Sequence, residues 1–341
     1  MLKAGIVGCG NIYPMHAYSL QDLSNGKLAA VCDIDGQRAK KAAGQFDCAY
    51  YTDYKDMIDH AGIDVVHICL PHYLHKPVTV YAAEAKKHVL TEKPMATTVE
   101  DAQAMERAAS DNGVTLGVIF QNRYNQGALL VKDTLQSGAV GKVLGARFHV
   151  DWFRDASYYK SDSWRGRWDT EGGGVMINQA IHTLDMVRWF IDSDIDTVDT
   201  HIANRTLQDV IEVEDEACGL IRFKNGVKLH FSACNYNSCN APVAIELQCE
   251  KALIQILGDR ASIRFHDGRE WVAENNPNET FNYGAGAKGY WGVNHTKQIR
   301  NFYETLEQGI PPEITAAEGV KTQRLVCAIY ESAKNGKAIR Y

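Results

Sequence analysis

The stretch LKAGIVGCG, residues 2–10, decides the fold of the first part of the chain. Its first six residues form an apolar run typical of a buried strand, the run ends in Gly8 and Gly10, and a helical pattern follows to about Leu23. A strand, a Gly-x-Gly turn and a helix in this order are the context of a dinucleotide-binding loop, because side chains there would block the pyrophosphate. The third glycine position is Tyr13, so the motif is incomplete, and a tight turn without a ligand is the alternative.

The alternation of strand and helix patterns continues to about residue 120. Apolar runs at 28–33, 64–70, 88–91 and 114–120 indicate strands, and helical patterns lie at 37–46, 76–87 and 101–112. Such alternation indicates βαβ units, and continuous apolar strands indicate a parallel sheet covered on both faces. We therefore predict an α/β chain whose first domain, residues 1–121, is a doubly wound parallel sheet.

The second part of the chain, residues 122–341, is predicted to be an α+β domain. Its strands follow one another without intervening helices, which favours a mostly antiparallel sheet, at 145–150, 195–203, 216–223, 227–233 and 243–249. Asn225-Gly226 is a strong hairpin signal between two of them. Helices predicted at 125–137, 175–192 and 295–308 would cover one face, and a last helix, about 316–335, would pack back on the first domain. We expect segment 275–292 to be the most mobile loop.

Composition excludes several classes of protein. The 341 residues carry a net charge of −6, which argues against a nucleic-acid or anionic-membrane surface. No apolar stretch is long enough to span a bilayer, and no signal-peptide layout is present, so we expect a cytoplasmic protein. The nine cysteines form no Cys-x-x-Cys pair, which favours free thiols, and we predict no metal site.

Asp33 strengthens the dinucleotide interpretation. It ends the second apolar run about 20 residues beyond the glycine loop, where an acid can bind the ribose hydroxyls. A carboxylate there repels a 2′-phosphate and favours NAD over NADP. Arg38 can accommodate such a phosphate, so NADP stays the less favoured alternative, and a solvated turn residue is the other reading of Asp33.

A lysine follows the strand pattern at 88–91. In Thr91-Glu92-Lys93-Pro94, Lys93 lies at the carboxyl end of that strand, which is the edge where α/β sheets bind ligands. This position predicts a lysine beside the nicotinamide. An ordinary solvated lysine is the alternative.

A glycine run opens a helical pattern in the second part of the chain, over Gly172 to Asp185. Asn178 and His182 are four residues apart and are predicted to share one helix face. Histidine titrates near neutral pH and suits acid–base chemistry. A capped core helix with a satisfied histidine is the alternative.

Together these motifs resemble the Gfo/Idh/MocA oxidoreductase family over nearly the whole chain. The matching positions are Gly8-Cys9-Gly10-Asn11-Ile12, His16, Asp33, Pro71, His75, Glu92-Lys93-Pro94, Arg123, Gly138 to Gly141, Trp164-Arg165, and Gly172 to Asp185. The resemblance implies a Rossmann domain followed by a domain with a large open, mostly antiparallel sheet, which commonly forms a homodimer or homotetramer interface. It also implies an NAD-dependent dehydrogenase that acts on a secondary hydroxyl of a sugar, a cyclitol or a nucleotide-linked sugar acid.

The resemblance assigns roles to individual residues. Lys93 and His182 are the expected catalytic residues, and His182 is favoured as the base. The expected cofactor contacts are Gly8, Gly10, Asn11, Ile12, Asp33, Arg38, Pro71, His75, Glu92 and Lys93. The expected substrate contacts are Lys93, Arg123, Trp164, Arg165, Asn178 and His182.

The chain departs from the family pattern at one position, and several alternatives remain open. Many family members have an aspartate four residues before the histidine, whereas this chain has Asn178, which cannot carry a proton. An NADPH-dependent sugar reductase, a non-catalytic dinucleotide-binding regulatory protein, and a bond-cleaving enzyme that recycles tightly held NAD use similar cofactor residues. The opposite assignment, with Lys93 as proton acceptor, is also open.

Overall fold

The structure is a computed structural model that describes residues 1–284 and 293–341. The chain divides into two units. The first contains Met1–Gln121 and Asn278–Gln323, and the second contains Asn122–Pro277 and Arg324–Tyr341. The sequence predicts a continuous second domain over 122–341, whereas the segment Asn278–Gln323 clusters with the first unit. Residues 285–292 of the segment expected to be mobile lie outside the described residues.

The helices and strands are numbered in chain order. The strands are β1 Leu2–Val7, β2 Gly26–Cys32, β3 Ala49–Tyr51, β4 Val65–Ile68, β5 His88–Thr91, β6 Leu116–Val118, β7 Val143–Asp151, β8 Ile195–Ala203, β9 Glu216–Phe223, β10 Lys228–Cys234, β11 Ala244–Cys249, β12 Ala252–Leu257, β13 Arg260–Phe265, β14 Glu270–Ala273 and β15 Ile339–Arg340. The helices are α1 Tyr13–Gln21, α2 Gly36–Phe46, α3 Tyr54–His60, α4 His75–Glu84, α5 Val99–Asn112, α6 Gln126–Gln136, α7 Ala156–Lys160, α8 Val175–Asn178, α9 Ile181–Ile191, α10 Asn294–Gln308 and α11 Ala316–Asn335.

The first unit is built on a six-stranded parallel sheet. Its spatial order is β3-β2-β1-β4-β5-β6, which confirms the predicted doubly wound architecture. The strand order reverses between β1 and β4, and ligands of such sheets bind outside the carboxyl ends at this switch point. Strand β3 escapes sequence analysis because it has three residues, two of them exposed.

Helix α10 belongs to the first unit, so the prediction that this helix covers the antiparallel sheet is wrong. It packs against α1, and its Ile299, Phe302 and Tyr303 share one buried core with residues of β1, β2 and β5. The ring of Phe302 fits against Gly117 of β6, where a Cβ would approach it to 2.9 Å. The apolar face of α10 was recognisable in the sequence, but the core that it joins was not.

The second unit is built on a nine-stranded sheet in the order β14-β13-β12-β11-β7-β10-β9-β8-β15. Every pair is antiparallel except β7 with β10, which confirms a large, mostly antiparallel sheet. Burial alternates along β10, and α6, α8 and α9 pack on the sheet. The predicted helix over 175–192 is broken into α8 and α9. Among the described helices, none combines the length and apolar character needed to cross a membrane.

Candidate functional site: the glycine loop and the glycine-run helix

The glycine loop after β1 has room for a ligand backbone. Gly8 has φ +98°, and a Cβ there would collide with the Cys69 carbonyl oxygen, so glycine is required. At Gly10 a Cβ would meet nothing within 4 Å. Asn11 is exposed, and Ile12, the N-cap of α1, makes no side-chain cap hydrogen bond. Open space beside Gly10 and an uncapped helix N-terminus fit a dinucleotide pyrophosphate.

Asp33 holds the glycine loop from the end of β2. Its Oδ2 accepts the Cys9 N–H at 2.9 Å, and its Oδ1 accepts the Asp35 N–H at 2.9 Å. A carboxylate has about four acceptor positions, so both oxygens retain capacity for ribose hydroxyls. The half-exposed Arg38 lies beside it, with Nη1 3.6 Å from Asp33 Oδ2. The donor and acceptor set at this edge of the sheet therefore fits NAD.

His75 ties the ends of β4 and β5 together. Its Nδ1 lies 2.8 Å from the Pro94 carbonyl oxygen and its Nε2 lies 2.9 Å from the Leu70 carbonyl oxygen. The ring is fully buried, and burial lowers its pKa, although both backbone contacts oppose this. Pro71 and Lys93 are half-buried at the same two strand ends. His75 therefore fixes the two segments that carry these predicted cofactor contacts.

Glu92 points into the protein. Its side chain is buried, with Oε1 3.0 Å from His16 Nε2 and 3.4 Å from His295 Nε2, and its Oε2 accepts the Lys93 N–H at 3.2 Å. Burial alone would raise the pKa of Glu92, but the hydrogen bonds from His16 and His295 hold it well below its usual range. The predicted cofactor contact of Glu92 stays a prediction, since the contacts of its carboxylate are within the first unit.

The glycine run before α8 lies against Glu214 in the second unit. A Cβ at Gly174 would collide with the Glu214 carbonyl oxygen, and one at Gly173 would collide with the Tyr330 hydroxyl. The Glu214 carboxylate accepts the Gly174 and Met176 N–H groups at 2.9 and 3.0 Å and the Tyr330 hydroxyl at 2.9 Å. These contacts explain why the segment consists of glycines.

His182 lies in the first turn of α9 and is half-buried. The helix is interrupted after Asn178, and the Ala180 N–H bonds the Val175 carbonyl oxygen five residues back. The prediction that Asn178 and His182 share one face of a continuous helix is therefore wrong. The backbone forms a wider turn at this point. The side chains of Asn178 and His182 therefore do not have the relative positions that a regular helix would give them.

Tyr158 is the common hydrogen-bond acceptor of three side chains in the second unit. Its hydroxyl oxygen accepts Arg165 Nη1 at 2.7 Å and the side-chain amides of Asn178 and Gln179 at 3.2 Å each. Asn178 Nδ2 also donates to Glu171 Oε1 at 2.6 Å. Burial raises the pKa of Tyr158, and the Arg165 charge opposes this. Asn178 thus links a phenol to a buried carboxylate.

Arg165 and Arg123, two further predicted substrate contacts, contact other side chains of the second unit. The guanidinium of Arg165 stacks over Trp164, 4.4 Å from the ring centroid. Arg123 is buried and forms a bidentate pair with Asp185, with both N–O distances 2.7 Å. This pair was not predictable from local sequence patterns, because Arg123 and Asp185 are 62 residues apart in the chain. The predicted ligand contact of Arg123 stays a prediction.

Both units match models of one protein family. Residues 2–120 match the model described as "Oxidoreductase family, NAD-binding Rossmann fold", and residues 128–255 match "GFO/IDH/MocA C-terminal domain". The chain belongs to the Gfo/Idh/MocA family. Its first unit is accordingly an NAD-binding Rossmann domain.

Relatives in the Gfo/Idh/MocA family include named sugar dehydrogenases. Levoglucosan dehydrogenase of Pseudarthrobacter phenanthrenivorans is 30% identical over 66% of this chain and 65% of that protein. The chain therefore spans just under two thirds of that relative's length. D-apiose dehydrogenase of Rhizobium rhizogenes is 28% identical over 99% of this chain and 97% of that protein.

A solved structure from the same family has a similar fold along its whole length. The WlbA dehydrogenase from Bordetella pertussis, in complex with NADH and UDP-GlcNAcA, is 26% identical with a TM-score of 0.86. The match covers 100% of this chain and 98% of that one.

Sequence analysis of this Gfo/Idh/MocA member missed several buried partners of the predicted residues. Glu171 and Glu214 lie in polar stretches without a recognisable motif, and His67 lies inside an apolar strand. A histidine within a buried strand was a usable signal, because a buried polar group needs a partner. The identity of that partner depends on tertiary contacts and was not readable.

Proposed function

We propose that this chain is an NAD-dependent dehydrogenase that oxidises a secondary hydroxyl of a sugar, a cyclitol or a nucleotide-linked sugar acid. The observation that carries the proposal is Lys93, which follows β5 of an NAD-binding Rossmann domain, one residue beyond the buried Glu92. His182, in the motif after the glycine run, supplies a second group able to move a proton. The named dehydrogenases among the relatives support the same reaction class.

In this proposal Lys93 and His182 act on the reacting hydroxyl. A nicotinamide held by the first unit would supply the hydride acceptor. Lys93 donates a hydrogen bond to the substrate oxygen and stabilises its developing negative charge. His182, as neutral imidazole, takes the hydroxyl proton. Asp33 binds the adenosine ribose, and its charge disfavours a 2′-phosphate.

The substrate contacts are proposed to come from four residues of the second unit besides His182. Trp164 and Arg165 form a stacked pair that offers an aromatic face and guanidinium donors to a polar sugar. Asn178 offers an amide where many relatives offer a carboxylate. Arg123 is the fourth, although its bidentate contact with Asp185 commits two of its N–H groups.

Absorbance of the reduced nicotinamide tests the proposal. The purified protein is incubated with NAD or NADP and a panel of sugars, cyclitols, sugar acids and nucleotide sugars. We expect a substrate-dependent rise with NAD. A fall in that absorbance, seen only with NADPH and the corresponding carbonyl compounds, would favour the reductase. NAD binding without any turnover would favour the regulatory protein or an enzyme that recycles its cofactor.

We further propose a cytoplasmic homodimer or homotetramer. Burial alternates along β7 and β10, so one face of the nine-stranded sheet carries exposed side chains. A broad open face of this kind suits a symmetric contact with a second copy. Light scattering coupled to size-exclusion chromatography measures the mass, and a monomer at all concentrations would contradict the proposal.

A further inference from the structure

Arg154 lies between β7 and α7 in the second unit and is held against two aromatic rings. Its backbone N–H donates to the Asn235 carbonyl oxygen at 2.8 Å. The side chain is half-buried, and its guanidinium carbon lies 5.1 Å from the ring centroid of Trp152 and 5.2 Å from that of Tyr158. Contacts of this kind between an arginine and aromatic rings fix the position of the charge.

The hydrogen bonds of Arg154 leave one edge of its guanidinium available. Nη1 donates to the Phe153 carbonyl oxygen at 2.5 Å and to Asn240 Oδ1 at 2.9 Å, which uses both of its hydrogens. In the described part of the chain, Nε and Nη2 of Arg154 donate to no acceptor. Arg123 uses this same edge to hold the Asp185 carboxylate, with both N–O distances 2.7 Å. The available edge of Arg154 therefore suits a pair of anionic oxygens.

Arg154 differs from the two arginines that follow it before the glycine run. Arg165 pairs with Asp162, with an N–O distance of 3.2 Å. Arg167 pairs with Glu212, with an N–O distance of 3.1 Å. Among the residues that the structure describes, no carboxylate forms an ion pair with Arg154. Its positive charge is therefore available to a ligand.

The acid next to Arg154 in the chain is engaged elsewhere. Asp155 is the N-cap of α7, and its Oδ1 accepts the Ser157 hydroxyl at 2.6 Å and the Tyr158 N–H at 3.1 Å. These hydrogen bonds lower the pKa of Asp155 and direct its carboxylate to the start of the helix. Asp155 thus stabilises α7 and leaves the guanidinium of Arg154 without a carboxylate partner.

Tyr158 contacts both Arg154 and the motif that leads to His182. Its hydroxyl oxygen accepts the side-chain amides of Asn178 and Gln179 at 3.2 Å each. Its ring lies against the guanidinium of Arg154. Arg154 therefore belongs to the same group of side chains as Asn178, a proposed substrate contact.

We propose that Arg154 binds an oxyanion of the substrate, so that the chain acts on an anionic sugar and not on a neutral sugar or a cyclitol. The inference rests on the proposed function and narrows its substrate class. The carboxylate of a sugar acid and the phosphate of a sugar phosphate each present two oxygens to a guanidinium. The hydrogen bonds of Nη1 already orient Arg154, which reduces the entropy lost on binding.

Calorimetric titration of the full-length protein saturated with NADH tests this inference without turnover. The probes are D-glucose and D-galactose, each with its uronate, its 6-phosphate and its UDP-linked uronate. We expect at least one anionic probe to bind roughly tenfold to a hundredfold more tightly than its neutral sugar, as for a charge-assisted hydrogen bond. The uronate and the 6-phosphate distinguish a carboxylate from a phosphate. Neutral sugars that bind as tightly, or no binding by any anionic probe while NADH binds, would overturn the inference.

Substitutions of Arg154 test whether this residue causes the preference. Arg154→Met keeps the apolar stem without the donors and should abolish the preference, and Arg154→Lys, with a charge but no planar fork, should give an intermediate affinity. Arg205→Met is the matched control, because Arg205 also lies over an aromatic ring, that of Tyr236, but pairs with Glu216. It should leave the preference unchanged. Anion binding of wild-type strength in folded Arg154→Met protein would contradict the inference.

Modification of the wild-type protein by phenylglyoxal keeps the inference testable if the variants do not fold. Peptide mass spectrometry follows the reaction of Arg154, with the exposed Arg205 as internal reference. A bound anionic probe should slow modification of Arg154 alone, and binding without this protection would sink the inference. If an anionic sugar protects Arg154 but no sugar is oxidised, the proposed function fails while the anion site stands.

Discussion

Glu92 and Glu214 are buried carboxylates, one in each unit, and their pKa values move in opposite directions. The two residues are 6% and 2% exposed. Burial raises the pKa of Glu214 to about 7, although the N–H groups of Met176 and Gly174 and the Tyr330 hydroxyl oppose it. The pKa of Glu92 lies well below its usual range although this residue is also buried, because His16 and His295 donate to it.

The comparison shows that partners rather than depth decide the charge of a buried acid. Glu92 contacts the rings of His16 and His295, which lower its pKa and favour the carboxylate. Glu214 meets backbone amides and a phenol beneath the glycine run that leads to His182, so it titrates near neutral pH. Lys93 thus follows a carboxylate that is ionised at neutral pH, whereas His182 follows a glycine run supported by a carboxyl group that titrates near neutral pH.

Removal of either proposed catalytic side chain should have the largest effect on activity. We expect Lys93→Ala and His182→Ala each to lower kcat by roughly 10²–10⁴-fold, since each removes a group proposed to act on the reacting hydroxyl, Lys93 by stabilising its charge and His182 by taking its proton. Turnover of the best substrate from the panel measures this. Lys27→Ala and His201→Ala, both at exposed strand positions, are the matched controls. Near-normal turnover in the double variant would remove both residues from the mechanism.

The order of elements was largely predictable from the sequence, because it depends on local patterns. The predicted strands 195–203 and 216–223 have the bounds of β8 and β9, and the last helix, 316–335, has those of α11. Strands β12 to β14 were missed, although β12 alternates buried and half-buried positions in a short apolar run. Period-two patterns this short are easily read as turns.

The surroundings of the candidate residues were much less predictable. Lys93 and His182 were selected by motif position, but the partners of Glu92 come from α1 and α10, more than 70 residues away on either side. The break between α8 and α9 was also invisible, because Gln179 and Ala180 do not oppose helix formation. Such features depend on long-range packing, which local sequence patterns do not encode.

The two buried carboxylates should give stability profiles of opposite slope. The folded pKa of Glu214 is raised, so the folded state holds an extra proton between about pH 4.5 and about pH 7, and stability falls as pH rises through this window. The change amounts to roughly 3 kcal/mol. The folded pKa of Glu92 is depressed, so its contribution is present above its unfolded pKa and is lost as pH falls.

Denaturant unfolding at a series of pH values separates these contributions. Glu214→Gln should flatten the decline towards neutral pH, and Glu92→Gln should flatten the loss in acid. Glu212→Gln, at a half-exposed carboxylate paired with Arg167, is the control and should change neither slope. A wild-type slope retained in Glu214→Gln would show that another group titrates there.

Asp33→Asn should have a smaller effect, which is confined to the cofactor. The amide has one acceptor oxygen in place of two, so it cannot hold both the Cys9 and Asp35 N–H groups and also accept from ribose. We expect NAD to bind roughly tenfold to a hundredfold more weakly, as for a lost charge-assisted hydrogen bond. NADP binding should weaken less, since the repulsive charge is gone. Calorimetric titration measures both, and Asp53→Asn, at the N-cap of α3, is the control.

Asn178→Asp introduces the carboxylate that the family resemblance implies at this position, and should nevertheless lower activity. Asn178 Nδ2 donates to Glu171 at 2.6 Å. An aspartate at position 178 would therefore place its carboxylate in contact with that of the buried Glu171. One must then take up a proton, and Tyr158 loses a donor. We expect a loss of about tenfold in kcat/KM at neutral pH, as for one broken polar contact. The loss should shrink in acid and in the double variant Asn178→Asp with Glu171→Gln. If Asn178→Asp alone raises activity at every pH, repulsion from Glu171 does not determine which residue is needed here. The amide would then serve substrate specificity.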